Sequence, residues 1–290
     1  MSENVQKAWV SRPVGGIPIS DDLGPSIVFA VLYTLLLPNI IYNFFIRKPR
    51  AWNIIQISTV IFAVERIAWC IIRAVQAAHP ERRSSGGLMN YVQVTVALGF
   101  VGISSEAVKL LRCTLVHTTL PENGASKDRR AARQFYRYFC VFFELAFLGA
   151  TIPGIIAGVA LALQASTVLI SLLAAFKVKE INRMRCFELA SLTLLIMSVP
   201  MYRLCVLGIR TIDVFTPIPS YDRALFYIFH LAPEWICVSI LLGTNVRARF
   251  ETGRWATMKL AERERDERLK KAEEEAKRLQ KSPPTGGETV

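Results

Sequence analysis

Several stretches of this chain run for more than about 18 residues with few charged side chains, which is the length that marks a membrane-spanning helix. They lie near residues 25–46, 54–78, 88–112, 186–210 and 224–244, and a still longer one runs from Tyr138 to Val178. The 52% hydrophobic content of the whole chain decides little, because soluble domains are also about half apolar. The clustering of the apolar residues is informative, and it argues against a soluble domain, a disordered chain and a disulfide-rich secreted module.

The stretch from Tyr138 to Val178 is too long to be a single span. As one helix it would reach about 60 Å, roughly twice the thickness of the hydrocarbon layer. We therefore expect it to fold back, and Pro153–Gly154 is the natural place for a tight turn. With this division the sequence predicts an all-α fold, a bundle of seven transmembrane helices that we number as spans one to seven.

The distribution of basic residues predicts the orientation of this bundle, because loops rich in Lys and Arg stay on the cytoplasmic side. With seven spans and the N-terminus outside, the most basic segments all fall on the cytoplasmic side. A six-span count would place the basic segment 177–185 and the basic tail outside. We therefore expect the N-terminus outside and the C-terminus inside. The inner basic residues are Arg47, Lys48, Arg50, Lys127, Arg129, Arg130, Arg133, Lys177, Lys179, Arg183, Arg185, Arg247 and Arg249.

Composition divides the chain into four segments. The first is polar and loop-like, the second holds the spans, and the third carries charge pairs four residues apart, such as Glu267 with Lys271, that favour a helix. In order, they are an extracellular N-terminal segment (1–24), the seven-helix transmembrane domain (25–246), a charged cytoplasmic helix (247–281) and a disordered tail (282–290).

The formal net charge of +12 indicates the partners to expect. The basic residues are divided among the edges of the membrane and the tail, so they predict contact with membrane lipids and not with nucleic acid. The charged tail also offers a surface for a cytoplasmic partner. We expect an integral, multi-pass protein of the plasma membrane or the endoplasmic reticulum.

Ionisable residues inside the spans are the candidates for function, because each costs roughly 2.5–3.5 kcal/mol on insertion scales. Span two places an acid, an aromatic residue and a base on one helical face, at i, i+4 and i+8. Span seven has a histidine and an acid one turn apart, with Pro233 between them favouring a kink. The predicted ligand-binding residues are Glu65, Trp69, Arg73, Glu144, Arg203, His230 and Glu234.

These residues are open to two interpretations. In the first, spans two, six and seven enclose a polar cavity that opens to the outer half of the membrane. In the second, the charges form interhelical ion pairs, such as Glu65 or Glu234 with Arg203, that only hold the bundle together. The sequence does not choose between them.

Several chemistries are excluded by the residues that the spans carry. The three histidines, His79, His117 and His230, are too dispersed for an intramembrane zinc site. Span seven has no lysine for a retinal Schiff base, and no nucleotide-binding or nucleophile-elbow motif occurs in a suitable context. We expect no enzymatic activity, no metal and no cofactor.

The segment from Glu65 to Arg73 resembles the second span of the fungal RTA1-like family, in which an acid, an aromatic residue and an arginine have the same spacing. The likeness continues over roughly residues 25–245. Its other points are Tyr91 with Gln93 in span three, Glu144 in span four, Tyr202 with Arg203 in span six, and Tyr227 in span seven. The resemblance implies a seven-span fungal membrane protein, and it implies roles for Glu65, Arg73, Glu144 and Arg203.

The chain also departs from that family's pattern. It has Val199 where a further arginine is expected, Arg223 and His230 where acids flank the span-seven tyrosine, and Glu144 in place of an aspartate. The family is associated with translocation of lipids or long-chain bases and with resistance to toxic amphiphiles. The resemblance thus implies a protein that exports or translocates amphiphilic lipids without covalent catalysis.

Two alternatives from other classes remain. One is a seven-span receptor or sensor, with a ligand pocket in the outer half and a basic cytoplasmic face for a signalling partner. The other is a membrane scaffold whose tail recruits soluble proteins. The charge of an amphiphilic ligand also stays open, since Arg73 and Arg203 suit an anion while Glu65 and Glu234 suit a cation.

Overall fold

The residues that the structure describes are mainly helical. A computed structural model describes residues 10–47, 53–83, 85–120, 129–149, 156–178, 181–211, 218–250, 252, 266–275 and 277. Its helices are α1 (Leu23–Thr34), α2 (Leu37–Ile41), α3 (Ile57–Ala78), α4 (Gly86–His117), α5 (Arg130–Gly149), α6 (Ile156–Lys177), α7 (Arg183–Leu207), α8 (Ser220–Phe226), α9 (Ala232–Gly243) and α10 (Val246–Arg249). Short 3₁₀ turns lie at Ser20–Asp22, Ile54–Gln56 and Pro80–Arg82.

Among the described residues, six helical segments are long and apolar enough to cross a membrane. They are Ser20–Ile46, Ile54–Ala78, Gly86–His117, Ala157–Lys177, Arg183–Leu207 and Ser220–Gly243. The chain is therefore an integral, multi-pass membrane protein of the all-α class, apart from one short two-stranded ladder that is described below. This confirms the predicted fold class at that level.

A seventh long helix, α5, occupies the position of predicted span four. It is more charged than the others, with Arg130, Arg133, Arg137 and Glu144 along its 20 residues. The long apolar stretch is thus divided between α5, which ends at Gly149, and α6. The predicted turn at Pro153–Gly154 lies outside the described residues.

Polar side chains fix several helix starts, because the first backbone N–H groups of a helix lack partners within it. Asn53 accepts from the backbone of Ile55 and Gln56 at the start of the segment that leads into α3. Asn182 accepts from Met184 at the start of α7.

Two spans contain a π-helical turn close to a proline. One turn, Tyr42–Ile46, follows α2, and the other, Tyr227–Leu231, joins α8 to α9 just before Pro233. Such turns relieve the loss of a backbone donor and often occur at functional sites. A π-helical turn therefore lies where the sequence predicts a kink in span seven.

The helices pack around α3, α4 and α7. The main packed pairs are α6 with α7, α1 with α3, α4 with α5, α3 with α4 and α4 with α7. One large hydrophobic cluster includes Phe100, Leu110, Ile196 and Leu241, and a smaller one near the other end includes Trp69 and Phe226.

The N-terminal segment enters the end of the bundle instead of lying free as a polar loop. Residues Val10–Ser11 (β1) pair with Arg210–Thr211 (β2) in a short antiparallel ladder, and residues 14–18 are then buried. Gly15 and Gly16 have φ angles of 73° and 60°, which glycine adopts without strain. A Cβ at Gly15 would meet the ring of Phe226, and one at Gly16 would meet Ile218.

The tail is described only in part. Residues 266–275 are helical and exposed, within the predicted charged helix of 247–281. Residues 1–9 and the predicted tail 282–290 lie outside the described residues, as do 48–52 and 121–128 in two predicted cytoplasmic segments.

Candidate functional site

The centre of the bundle contains a fully buried ion pair between α3 and α9. The Arg66 guanidinium donates to both carboxylate oxygens of Glu234, with Nε–Oε2 3.0 Å and Nη2–Oε1 3.1 Å. Both side chains are 0% exposed. Two parallel hydrogen bonds to one carboxylate give the strongest and most directional form of such a pair.

The third guanidinium nitrogen of Arg66 extends this pair toward α4. Nη1 lies 3.3 Å from Glu65 Oε2 and donates to the carbonyl of Thr95 at 3.4 Å. The other oxygen of Glu65 accepts from the hydroxyl of Tyr91 at 3.2 Å. Gly99 makes room for this arrangement, since a Cβ there would collide with the Arg66 guanidinium and with Phe62.

Trp69 lies between two arginines of its own helix. Its ring is 5.6 Å from the Arg66 guanidinium carbon and 5.5 Å from that of Arg73, within range of cation–π attraction. The indole N–H donates to the carbonyl of Val92 at 3.1 Å. A predicted ligand-binding residue is thus fully engaged in holding two charges.

Arg73 binds the N-terminal segment. Its guanidinium donates to the carbonyl of Gly15 at 2.6 Å and to Asp22 Oδ1 at 3.2 Å, and Nε donates to the hydroxyl of Tyr227 at 3.2 Å. The Tyr227 hydroxyl in turn donates to the same Asp22 oxygen at 2.9 Å. Since Arg73 and Asp22 are fully buried, this triad closes the end of the bundle.

The triad makes further hydrogen bonds with α1 and with the turn that precedes it. Asp22 Oδ2 accepts from the backbone N–H of Ile19 at 3.0 Å. The Ser26 hydroxyl lies 3.3 Å from that of Tyr227. Buried polar groups are tolerated when they are hydrogen-bonded in this way.

Arg203 and His230 are less completely satisfied. Arg203 on α7 donates to the carbonyl of Val96 at 3.1 Å and lies over the ring of Phe100, but its Nε has no hydrogen-bond partner among the described residues. His230 stacks on Phe226 with ring centroids 5.2 Å apart. Its Nε2 is 3.6 Å from Glu234 Oε1, beyond hydrogen-bond range.

Glu144 lies apart from this cluster. It pairs with Arg112 at 2.7 Å and joins α5 to α4. Along α4, Arg112 is 17 residues beyond Thr95, which corresponds to about 26 Å. Glu106 is a further buried acid of α4, and it accepts from the hydroxyl of Thr59 on α3.

The structure therefore brings together six of the seven predicted residues, Glu65, Trp69, Arg73, Arg203, His230 and Glu234, and leaves Glu144 elsewhere. The ion pair that the second interpretation assigned to Arg203 is formed by Arg66 instead. The sequence predictions did not include Arg66 among the site residues, because it lies about 100° from Glu65 on the helical wheel. The packing of α3 against α9 brings it to Glu234.

Asp22 and Tyr227 were also missed as site residues. Asp22 belongs to a segment that the sequence predicts to be an extracellular loop, so no pattern indicated that it would be buried at 1% exposure. The spacing between Asp22, Arg73 and Tyr227 in the chain carries no information about their contact.

The predicted polar cavity between spans two, six and seven is occupied by these paired side chains. An open cavity of about 350 Å³ lies beside it, between α7, α8, the π-helical turn that follows α8, and the N-terminal segment. We call it the outer cleft, after the side of the membrane on which the sequence predicts this end of the bundle to lie. Its outer rim carries an ion pair between Arg12 and Asp222 at 2.7 Å. Its walls are mostly apolar and include Met201, Tyr202, Cys205, Leu225 and Phe229.

A second depression of about 530 Å³ lies between α1 and α3, and we call it the α1–α3 groove. It is lined by aliphatic residues such as Ile27, Val31 and Ile71, with His79 at one end. His79 Nδ1 lies 3.1 Å from the exposed Glu81. A hydrogen bond to its own backbone, with a contribution from His79, lowers the pKa of the Glu81 carboxyl.

The described residues contain no group of three or more His, Cys, Asp or Glu side chains arranged to hold a metal ion. We call Arg66 and its two acidic partners, Glu65 and Glu234, the central cluster. Their charged atoms bind one another and the backbone. The arrangement is suited to joining helices and to setting a charge pattern beside the outer cleft.

Comparisons with known proteins give no relatives for this chain: no family model, no curated protein and no solved structure matches it.

Proposed function

We propose that this chain is a seven-span, RTA1-like membrane protein that translocates amphiphilic lipids, without covalent catalysis. Its N-terminus is outside and its C-terminus is in the cytoplasm. The lipid enters through the outer cleft, and the plasma membrane or the endoplasmic reticulum is the expected site of action.

The proposed topology is supported by what lies at each end of the bundle. The N-terminal segment packs where α3 and α7 end and where α4 and α8 begin. At the opposite end, Asn53 donates to Thr252 at 2.7 Å, and Arg249 pairs with Glu188 at 2.6 Å. That opposite end carries the basic segments, which favours a cytoplasmic position.

The outer cleft is the observation that carries the proposal. Its apolar wall opens sideways, since Met201 is 59% and Phe229 is 45% exposed, and both face the surface that lipid would cover. Its rim is charged, with Arg12 and Asp222 only partly exposed. A mostly apolar pocket with a few convergent polar groups is the usual form of a ligand site, and the polarity gradient here matches an amphiphile.

In this proposal, the helices rearrange relative to one another at the central cluster. Arg66 and Glu234 join α3 to α9 directly below the π-helical turn that borders the cleft. Translocation requires a second arrangement of the helices, and a buried ion pair next to a π-helical turn is a discrete contact that is able to break and re-form.

A receptor is the second candidate, and a specific observation favours it. The position where a polar passage was predicted is filled by the Arg66–Glu234 pair and by Trp69. A ligand held in the outer cleft would then act by shifting helices, while the tail transmits the signal to a cytoplasmic partner.

A lipid-flux assay in reconstituted vesicles tests the proposal. The Cys205→Trp substitution fills the cleft, whereas Leu169→Trp places the same side chain on the exposed face of α6. We expect the wild type and Leu169→Trp to move a single-chain lipid between leaflets and Cys205→Trp to lose most of that flux. A wild type that binds the lipid but does not move it would overturn translocation in favour of the receptor.

A further inference from the structure

The rim of the outer cleft presents two opposite charges side by side. Arg12 Nη1 lies 2.7 Å from Asp222 Oδ2, and the two side chains are 14% and 18% exposed. They are thus partly shielded but still reachable at the mouth. Tyr202, a further polar residue, also lines the cleft.

Within the part of the chain that the structure describes, two further arginines at this end of the bundle are engaged elsewhere. Arg223 pairs with Asp21 at 3.1 Å and also donates to the carbonyl of Ile218. Arg73 is held by Asp22 within the bundle. Among the described residues that line the cleft, only Arg12 and Asp222 are charged, and their formal charges sum to zero.

The cleft extends inward from this pair as an apolar slot. Its wall follows α7 from Val206 to Ser198, which corresponds to about 12 Å of depth. Leu225 and Phe229 form the facing wall. A volume of about 350 Å³ lies near the lower end of the roughly 300–1,000 Å³ found for small-molecule sites, so it suits one acyl chain and not two.

A headgroup with one charge fits this rim poorly. An anionic group that binds Arg12 would face Asp222, and a cationic group that binds Asp222 would face Arg12, so each meets a like charge. A headgroup that carries both charges avoids this repulsion. Its anionic part replaces Asp222 at Arg12, and its cationic part replaces Arg12 at Asp222.

We propose that the outer cleft binds a zwitterionic amphiphile with a single chain, whose anionic group pairs with Arg12 and whose cationic group pairs with Asp222. This inference rests on the proposed function, since it names the substrate class of the same cleft. The α1–α3 groove provides the contrast within the molecule. It has the larger volume, about 530 Å³, but its described lining carries no Arg, Lys, Asp or Glu.

The test is a binding measurement on the full-length protein in a non-ionic detergent. The probes share one fluorescent chain and carry a phosphocholine, a phosphate or an amine headgroup. We expect the phosphocholine probe to bind at least about tenfold more tightly than the other two. Arg12→Ala and Asp222→Ala should each weaken its binding by about tenfold, because each removes one of the two pairings.

Matched variants separate recognition from folding. Asp21→Ala removes the neighbouring ion pair, which does not line the cleft, and it should leave binding unchanged. The conservative changes Arg12→Lys and Asp222→Glu keep both charges, so they should retain most of the affinity even if an alanine variant fails to fold.

The outcomes distinguish this inference from the function on which it rests. Binding of the phosphate probe that depends only on Arg12, binding of the amine probe that depends only on Asp222, or equal binding of all probes in every variant would each overturn it. If the wild type shows the expected selectivity but no lipid flux, translocation fails and the ligand class stands. If flux is normal but the headgroups are not distinguished, translocation stands and the inference about the ligand class fails.

Discussion

The Arg66 guanidinium on α3 holds both carboxylate oxygens of Glu234 on α9, at 3.0 and 3.1 Å, with neither side chain exposed. This pair joins the second and seventh predicted spans at the centre of the bundle. Glu65 and the backbone of α4 complete the shell of Arg66. The contact therefore ties three helices together, and its loss would be felt by all of them.

Removing one partner of this ion pair should lower the stability of the protein substantially. Glu234→Ala leaves the Arg66 charge buried without its main partner, and the loss in unfolding free energy should be about 3–5 kcal/mol. Thermal unfolding in detergent measures it. The double variant Arg66→Met/Glu234→Leu should recover much of the loss, and Glu188→Ala, in the partly exposed pair with Arg249, should cost about 0–1 kcal/mol. Equal effects of Glu234→Ala and Glu188→Ala would contradict this assignment.

Gly99 should tolerate no side chain. Alanine there would collide with the buried Arg66 guanidinium and with Phe62, so Gly99→Ala should destabilise the protein by about 1–3 kcal/mol. Gly102 on the same helix has open space at its Cβ position, and Gly102→Ala should be neutral or stabilising by up to about 1 kcal/mol. The comparison of the two unfolding temperatures checks this, and a reversed order would refute the packing.

The N-terminal segment should become exposed when its contact with Arg73 is removed. In a Cys205→Ser background, Val14→Cys should react slowly with a membrane-impermeant thiol reagent, since Val14 is 4% exposed. Adding Asp22→Ala removes the partner of Arg73 and should make this thiol react readily. Ser20→Cys, at an exposed position, should react in both proteins when the reagent is added outside intact cells. No reaction of that control would contradict the N-out topology.

Removal of the tail distinguishes the two candidate functions. Truncation after Thr252 keeps the bond between Thr252 and Asn53 but deletes the charged helix. A translocator should retain most of its lipid flux, whereas a receptor should lose signalling and keep ligand binding. Flux that falls as far as it does in the cleft-filling variant would argue against the translocation account.

The sequence predicted the helices of this fold well, because apolar runs of sufficient length leave few alternatives in a membrane. It predicted which residues lie on the same side of a helix, such as Glu65, Trp69 and Arg73. It did not predict which of these residues contact a neighbouring helix. One of the two interpretations placed an ion pair at Arg203, whereas the pair is formed by Arg66, since the choice depends on how α3 is rotated between its neighbours. Helical periodicity within one span does not contain that rotation.

The packing of the N-terminal segment into the bundle could not be predicted from the sequence for another reason. Its polar, glycine-rich composition is typical of an exposed loop, yet two left-handed glycines allow it to pack against Phe226 and Ile218. Arg12 and Asp222, more than 200 residues apart in the chain, meet only because of that packing. The outer cleft exists for the same reason, so no pattern in the spans pointed to it.

Photo-crosslinking shows directly whether the outer cleft holds an amphiphile. A single-chain phosphocholine lipid with a photoreactive group in its chain is added to the full-length protein, and the labelled peptides are mapped. We expect labelling concentrated on the segments around Met201–Cys205 and Leu225–Phe229, displaced by excess unlabelled lipid and absent in Cys205→Trp. Labelling spread evenly over the lipid-facing helices, including the α1–α3 groove, and not displaced by competitor would contradict it.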